Sequence, residues 1–217
     1  MEELYERAAR AAYDNSKSLL YEGKLLARSW KFARAYALCV LSSEEFCKAV
    51  LYKCVSAKLV GKHKVREIAR IHSEKIERFI HIVVSPYIIA HHPEYLEALH
   101  QDSKEPDHAK HVFPDVASKI ALDTPRLIGR MMAIFRHAEE RKLDALYVEV
   151  RGGRLVIPKD AIGERQYREI EDFVRRSIFG FEIFLGANRN QRFRKVMENL
   201  DPGLMNILAP KTRRTRV

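Results

Sequence analysis

Little in this chain interrupts a helix. Its 217 residues include only nine glycines and eight prolines. Because these two residues most often end helices, their scarcity favours long helical stretches. Hydrophobic residues make up 47% of the chain, which is enough for one sizeable core at this length. The composition therefore predicts a helix-rich protein built as a single domain.

Several common functional motifs are also missing. The sequence has no glycine-rich phosphate loop, no serine nucleophile elbow and no zinc-binding helix motif, which counts against common hydrolase and nucleotide-binding classes. The N-terminus is charged from its second residue and lacks the apolar core of a secretory signal. The most apolar run, Ile82–Ala90, contains Pro86 and is far shorter than the roughly 20 residues that span a bilayer. We expect a soluble, cytoplasmic protein without a membrane segment.

Cysteine is scarce, and its three positions lie on one predicted helix. Cys39, Cys47 and Cys54 are eight and seven residues apart, so neighbours are separated by more than about 10 Å along the helix axis. They cannot form disulfides with one another and are typical of small core residues in a reducing compartment. His108 and His111 have the spacing of two metal ligands, but no further ligand spacing supports a site. We expect no metal and no cofactor.

Acidic residues are fewer than basic ones, 29 against 39, which gives a net charge of +10. Such a balance favours a polyanionic partner such as RNA, because lysine and arginine near phosphates release counterions. Much of the excess lies late in the chain, at Arg189, Arg192, Arg194 and Lys195 and in the segment 211–216. We predict one domain over residues 1–208 and a basic tail over 209–217. That tail is either a solvated terminus or an arm that contacts RNA.

Apolar residues recur at helical spacing along most of the chain. They predict helices at about 2–29, 30–60, 63–90, 116–142, 160–184 and 189–200. The polar segment 91–115 is expected to be a long connection. Between the fourth and fifth helices, two short apolar runs flank Gly152 and Gly153 and predict a small β-hairpin within 146–157. The expected fold is an all-α antiparallel helical bundle with this hairpin.

The second predicted helix carries three charges in an apolar segment, at Glu44, Glu45 and Lys48. A carboxylate removed from water is costly unless something pairs with it. The spacing allows an intrahelical ion pair with a further charge facing the third helix, which is a structural interpretation. The functional interpretation is a polar site in the bundle that His72 and Lys75 of the third helix complete. The sequence leaves both open.

A second charged group lies where the fourth helix meets the hairpin, and it contains Arg141, Lys142, Tyr147 and Glu149. Such a corner can be structural, with the tyrosine packed and its hydroxyl bonded. It can also face phosphate, since arginine bonds two phosphate oxygens at once and tyrosine stacks on a base.

Three segments in this order resemble the AbiV abortive-infection proteins, a branch of the HEPN superfamily of helical domains. They are ARAYALCVLSSEEFCKA, HSEKI at 72–76, and RKLDALYVEV followed by a glycine turn and Pro158. The resemblance covers residues 12–185. It implies an antiparallel helical bundle in an antiviral protein, often a homodimer, that acts on RNA or translation. The implied partners are RNA, such as tRNA or ribosome-associated RNA, and a phage or partner protein as trigger.

The resemblance also implies site residues. Many HEPN proteins are metal-independent ribonucleases that use an Arg and a His four to six residues apart on a late helix. The residues of this chain that match the family's charged motifs or adjoin them give the catalytic candidates, which are His72, Glu44, Glu45, Lys48, Arg141, Lys142 and Tyr147. The candidates for RNA contact are Lys75, Arg192, Arg194 and Lys195.

The chain departs from the superfamily pattern at one point, because no His follows Arg141 on the late helix. Two hypotheses remain. His72 supplies the proton transfer from another helix, or the protein is a non-catalytic helical dimerisation module that binds RNA or protein without cleaving it.

Overall fold

A computed structural model describes residues 2–61 and 137–191, together with 125–126, 129, 133–135, 193–194 and 197. The predicted third helix, the polar connection at 91–115 and the tail at 209–217 lie outside the described residues. The same holds for six residues named above, which are His72, Lys75, His108, His111, Arg192 and Lys195.

The first two helices form an antiparallel hairpin. Helix α1 spans Glu2–Arg28 and helix α2 spans Phe32–Ser56, close to the predicted 2–29 and 30–60. Helix α2 ends four residues before the predicted Val60, because Lys58 adopts a left-handed backbone conformation with a φ of 60°. That conformation ends a right-handed helix, so Lys58 marks the stop.

Small residues let α1 and α2 approach closely. A Cβ atom added to Gly23 would lie 3.2 Å from the Ala35 carbonyl oxygen, which is tighter than ordinary contact. Further along, the Ser16 hydroxyl donates to the Ser42 carbonyl at 2.8 Å, and the Ser42 hydroxyl donates to the Ser16 carbonyl at 2.7 Å. Both serines are buried, so each polar group is bonded across the helix interface and its desolvation is offset.

The second half of the described chain contains shorter elements. They are helix α3 Ala138–Leu146, strands β1 Glu149–Arg151 and β2 Arg154–Val156, helix α4 Pro158–Ala161, helix α5 Glu164–Glu182 and a 3-10 turn at Ala187–Arg189. The predicted helix over 116–142 is interrupted by a turn at His137, and its continuation, α3, extends beyond Lys142 to Leu146. The predicted helix over 160–184 is divided at Ile162 and Gly163 into α4 and α5.

The predicted β-hairpin is confirmed. Val150 lies opposite Leu155 in an antiparallel pair. Gly152 and Gly153 form the turn with φ values of 57° and 78°, which glycine adopts without steric cost and which match the twist of the two strands. Leu146, expected at the start of the hairpin, ends α3 instead.

Helix α5 packs against both helices of the hairpin formed by α1 and α2. The ring of Phe181 lies 6.1 Å from that of Tyr13 in α1 and 5.6 Å from that of Phe46 in α2. Cys39, Cys47 and Cys54 are free and buried in this core, as the sequence predicted. The all-α class with a small hairpin is therefore confirmed. In the part of the chain that the structure describes, no helix has the length and apolar character needed to cross a membrane.

Candidate functional site

A buried ion cluster joins α2 to α3. The Lys142 ammonium lies 2.9 Å from the Glu44 carboxylate and 2.7 Å from the Glu139 carboxylate. Glu44 is 5% exposed and Lys142 is 8% exposed. Burial alone would lower the pKa of Lys142, but the hydrogen bonds to Glu139 and Glu44, together with their charges, outweigh it and raise this pKa. Lys142 is therefore held as a cation between two carboxylates.

Glu45 and Lys48 form a separate pair within α2. Their charged atoms are 2.5 Å apart, and both side chains are about three-quarters buried. This is the intrahelical ion pair that the spacing predicted. Glu44 pairs instead with Lys142, 98 positions along the sequence, so adjacent glutamates on α2 serve different partners.

Arg141 faces an open cleft. Successive residues of a helix point about 100° apart, so Arg141 and Lys142 occupy different faces of α3. The cleft has a volume of about 310 Å³ and is lined by Arg141, Tyr36, Gln166 and Glu169, with Ala133 and Ile134. It thus combines an arginine with a phenol and a carboxylate in a space that a ligand can enter.

The tyrosine of this cleft stays neutral. The Tyr36 side chain is buried, and no described residue bonds to its hydroxyl in good geometry. Burial raises the pKa of Tyr36, the positive charge and the close side chain of Arg141 act in the opposite direction, and Glu169 adds to the rise. At neutral pH the hydroxyl therefore keeps its proton and lies beside Arg141 in the wall of the cleft.

The hairpin is anchored to α3 by its charged face. Arg151 lies 2.9 Å from Glu140, 2.9 Å from Asp144 and 2.7 Å from Glu149. Tyr147, predicted in the site, is 60% exposed and does not line the Arg141 cleft. The structure thus brings Arg141, Lys142 and Glu44 to neighbouring places and leaves Tyr147 at the surface.

Arg194, predicted to contact RNA, lies at the other end of the bundle. Its guanidinium donates to the Lys58 carbonyl at 3.2 Å, just after the last turn of α2. That position is roughly 30 Å along α2 from Tyr36, given a rise of about 1.5 Å per residue.

Sequence reasoning missed a second buried lysine. Lys53 is 0% exposed, and its ammonium donates to Glu6 at 2.8 Å and to the Gly186 carbonyl at 2.7 Å. Glu6 in turn accepts from the Gly186 amide at 2.6 Å. Burial lowers the pKa of Lys53 despite its bond to Glu6. The cluster ties α1, α2 and the turn after α5 together, which is a structural role.

A signal for this cluster was present in the sequence. Ala9, Tyr13, Ser16, Leu20 and Gly23 form the buried stripe of α1 with alternating spacings of four and three. Glu6 continues that stripe one step backward, so its position predicted burial.

Lys53 shows the same signal in α2. It lies seven residues after Phe46 and fourteen after Cys39, on one buried face. Two charges of opposite sign on the buried faces of neighbouring helices are candidates for a pair.

The described residues contain no group of three His, Cys, Asp or Glu side chains placed to bind a metal ion. This holds for the ranges given above and not for the His-rich segment between them.

Comparison with known proteins identifies a family. The AbiV family of HEPN domains matches residues 4–178, a stretch that contains most of α1, all of α2 and α3, the hairpin and most of α5. No curated protein and no solved structure gave a significant match. The match covers most of the chain and includes Glu44, Arg141 and Lys142. The chain therefore belongs to the AbiV family of HEPN proteins.

Proposed function

We propose that this protein is an antiviral abortive-infection protein that acts on RNA and cleaves it without a metal ion at the Arg141 cleft. Its membership of the AbiV family supports the antiviral part of this proposal. The observation that carries the RNA part is the open cleft in which Arg141 meets Tyr36, Gln166 and Glu169. An arginine with this access can bond two oxygens of a phosphodiester.

The buried ion cluster has a positioning role in this proposal. Lys142 of α3 is bonded to Glu44 of α2, and this bond between two helices limits the rotation of α3 about its own axis, while Glu139 of α3 holds the same ammonium in place. Arg141 is the preceding residue, so its direction into the cleft follows from that rotation. Glu44, Glu139 and Lys142 therefore orient the arginine without touching RNA.

The chemistry proposed at the cleft is an internal transfer. The ribose 2′-oxygen attacks the adjacent phosphorus, the bond from phosphorus to the 5′-oxygen breaks, and a 2′,3′-cyclic phosphate and a free 5′-hydroxyl result. Glu169 accepts the 2′ proton, and Arg141 stabilises the charge that develops on the phosphoryl oxygens. Tyr36 donates a hydrogen bond to the same oxygens. His72, the residue predicted from the sequence, protonates the leaving 5′-oxygen.

A second candidate function is RNA or protein binding without cleavage, in a helical dimerisation module. The observation that favours it is the pairing of Glu44, Lys142 and Glu139, in which Glu44 and Lys142 are buried and Lys142 is bonded to both carboxylates. In this version the Arg141 cleft holds RNA and no bond breaks. A homodimer, a phage or partner protein as trigger, tRNA or ribosome-associated RNA as target and a cytoplasmic location belong to both versions of the proposal.

The test is cleavage of end-labelled tRNA and total RNA in EDTA by wild type, Arg141→Ala and His72→Ala. A matched control is Arg154→Ala, which removes an exposed arginine at the hairpin turn. We expect wild type and the control to cleave alike, the product to carry a cyclic phosphate, and Arg141→Ala to lose about 100-fold in rate.

Two results would change the proposal. Full cleavage by Arg141→Ala would remove the cleft from the reaction. Absence of cleavage by wild type, together with RNA binding that Arg141→Ala abolishes, would favour the binding module.

A further inference from the structure

A second cleft opens beside the turn that joins α1 to α2. Its volume is about 450 Å³, within the range of roughly 300–1,000 Å³ that is usual for small-molecule sites. Residues Trp30–Arg34 form one wall, and the opposite wall comes from the segment around α4, with Pro158, Lys159, Ile162 and Gly163. None of the predicted site residues that the structure describes lines this cleft.

The charged side chains of described residues that line the cleft are all positive. Lys31, Arg34 and Lys159 are exposed, no carboxylate of a described residue lines the cleft, and none of the three forms an ion pair with such a residue. Lys31 and Arg34 also lie at the start of α2, whose first turn has no acidic residue and whose N-cap side chain makes no capping bond. Cations are disfavoured at that end of a helix, so an anion bound between these three side chains would relieve the repulsion.

An aromatic side chain stands at the rim. Trp30 is 78% exposed, and its backbone has a left-handed φ of 59°, which places it on the turn rather than on either helix. Its ring packs at a steep angle on Phe32, with the ring centres 5.7 Å apart. Most of the indole surface is thus open to solvent next to three cations. That combination fits a nucleotide, whose base stacks on an aromatic ring while its phosphate meets lysine and arginine.

This cleft adjoins the Arg141 cleft. Phe32 lines the first and Tyr36 lines the second, one turn or about 6 Å apart on α2. On the α5 side, Gly163 of the first cleft donates its amide hydrogen to the side chain of Gln166 in the second, at 3.2 Å. A ligand longer than one nucleotide can therefore occupy both.

We propose that the cleft beside Trp30 binds one nucleotide of single-stranded RNA, with the base stacked on Trp30 and the phosphate held by Lys31, Arg34 and Lys159, while the strand continues toward Arg141. The RNA identity of the ligand rests on the proposed function. The assignment of a stacked base with its phosphate rests on the cleft itself.

Trp30 is the only tryptophan in the chain, so its fluorescence reports on this cleft alone. The titrants are a hexa-adenylate carrying 2′-O-methyl groups, which cannot undergo the internal transfer, and separately AMP and inorganic phosphate. We expect the hexanucleotide to quench Trp30 at the lowest concentration, AMP at a higher one and phosphate not at all.

Variants test the residues by anisotropy of the same hexanucleotide carrying a fluorescein. Trp30→Leu is expected to weaken binding roughly tenfold through the lost stack. Arg34→Ala and Lys159→Ala are each expected to lower the slope of log affinity against log salt by about one. The control is Arg7→Ala, an exposed arginine about 30 Å away along α1, which is expected to change neither quantity.

The outcomes separate this inference from the proposed function. The inference alone would be overturned if RNA bound without quenching Trp30 and bound equally well to Trp30→Leu protein whose circular dichroism is that of the native fold. If RNA quenches Trp30 in the wild-type protein but is not cleaved in the cleavage assay, the inference is supported and the result counts against catalysis. Quenching by AMP without any effect of RNA would overturn the RNA assignment and make this a site for a free nucleotide, and equal quenching by phosphate would overturn the stacked base.

Discussion

Among the residues that the structure describes, two lysines are buried and bind carboxylate, and their pKa shifts have opposite signs. Lys53 is bonded to one carboxylate, Glu6, and to the neutral carbonyl of Gly186, and its pKa is lowered. Lys142 is bonded to two carboxylates, Glu44 and Glu139, and its pKa is raised. The two sites differ by one negative charge within bonding distance of the lysine.

The difference shows how many carboxylates a buried lysine needs nearby to keep its pKa from falling. Removal of an ammonium from water disfavours the charged form, and one carboxylate offsets that effect only in part at Lys53. At Lys142 the second carboxylate reverses the balance and raises the pKa. The first site suits a closed structural tie, while the second sits beside a cation that faces an open cleft.

The largest effect on stability is expected from breaking the ion pair between Lys53 and Glu6. Lys53→Met removes the ammonium and leaves the Glu6 carboxylate without its partner in a nearly closed site, so we expect a loss of about 3–5 kcal/mol in the free energy of unfolding. Urea denaturation of wild type and variant measures it.

The double variant Glu6→Gln with Lys53→Met is the control for this prediction. It removes both charges, so it is expected to be more stable than Lys53→Met alone. A single variant that is as stable as wild type would show that the pair contributes nothing.

A smaller effect is expected from a substitution that gives Lys142 the same number of carboxylates as Lys53. Glu139→Gln removes one of the two carboxylates at Lys142 and leaves it, like Lys53, with one. We expect the pKa of Lys142 to fall. It is measured in protein with isotope-labelled lysine, from the NMR signal of the Lys142 side-chain carbon as pH is varied. The Lys142→Met variant assigns that signal. Glu140→Gln, one position along α3, is the matched control and should leave this titration in place. An unchanged pKa in Glu139→Gln would mean that charge count does not separate the two lysines.

The two shifts have opposite consequences for stability against pH. The pKa of Lys142 is raised above the ordinary 10.5, so its contribution is fully present below pH 10.5 and is lost as pH rises through the folded-state value. The pKa of Lys53 is lowered from 10.5, so between its folded-state value and pH 10.5 the unfolded chain binds more protons. In that window the contribution of Lys53 to stability therefore rises with pH.

The smallest effect is expected at an exposed pair that lies near Lys53 in sequence. Lys58 lies 2.6 Å from Glu2, and both side chains are more than half exposed, at 71% and 57%. Water screens such a pair, so Lys58→Ala is expected to change the free energy of unfolding by at most about 1 kcal/mol in urea denaturation. A loss as large as that of Lys53→Met would mean that burial does not set the scale of these interactions.

The elements of the fold were predictable where the apolar period is long. Helices α1 and α2 and the hairpin at Gly152 and Gly153 follow directly from spacing and turn chemistry. The breaks at His137 and Ile162 were not predicted, because the apolar spacing continues across both positions. At the second break Gly163 has an extended backbone and caps α5, with its amide bonded to the side chain of Gln166.

The candidate site was predictable in residue type and less so in pairing. Glu44 was identified as an unusual charge in an apolar helix, and Arg141 and Lys142 as part of a charged group where a helix meets the hairpin. The bond from Glu44 to Lys142 joins positions 98 residues apart, which local spacing cannot reveal. Tyr36, Gln166 and Glu169 gave no signal, because each is an ordinary residue of an amphipathic helix until α2, α3 and α5 meet.

The three cysteines of α2 allow the opening of this helix to be measured by the rate at which their thiols react. Burial raises the pKa of Cys39 and of Cys54 to about 12 and that of Cys47 still higher, so at neutral pH none carries the reactive thiolate. A thiol reagent can then modify them only during moments when α2 separates from the core. The rate of modification therefore counts those openings, and any RNA or partner that tightens the bundle will slow that rate without touching a cysteine.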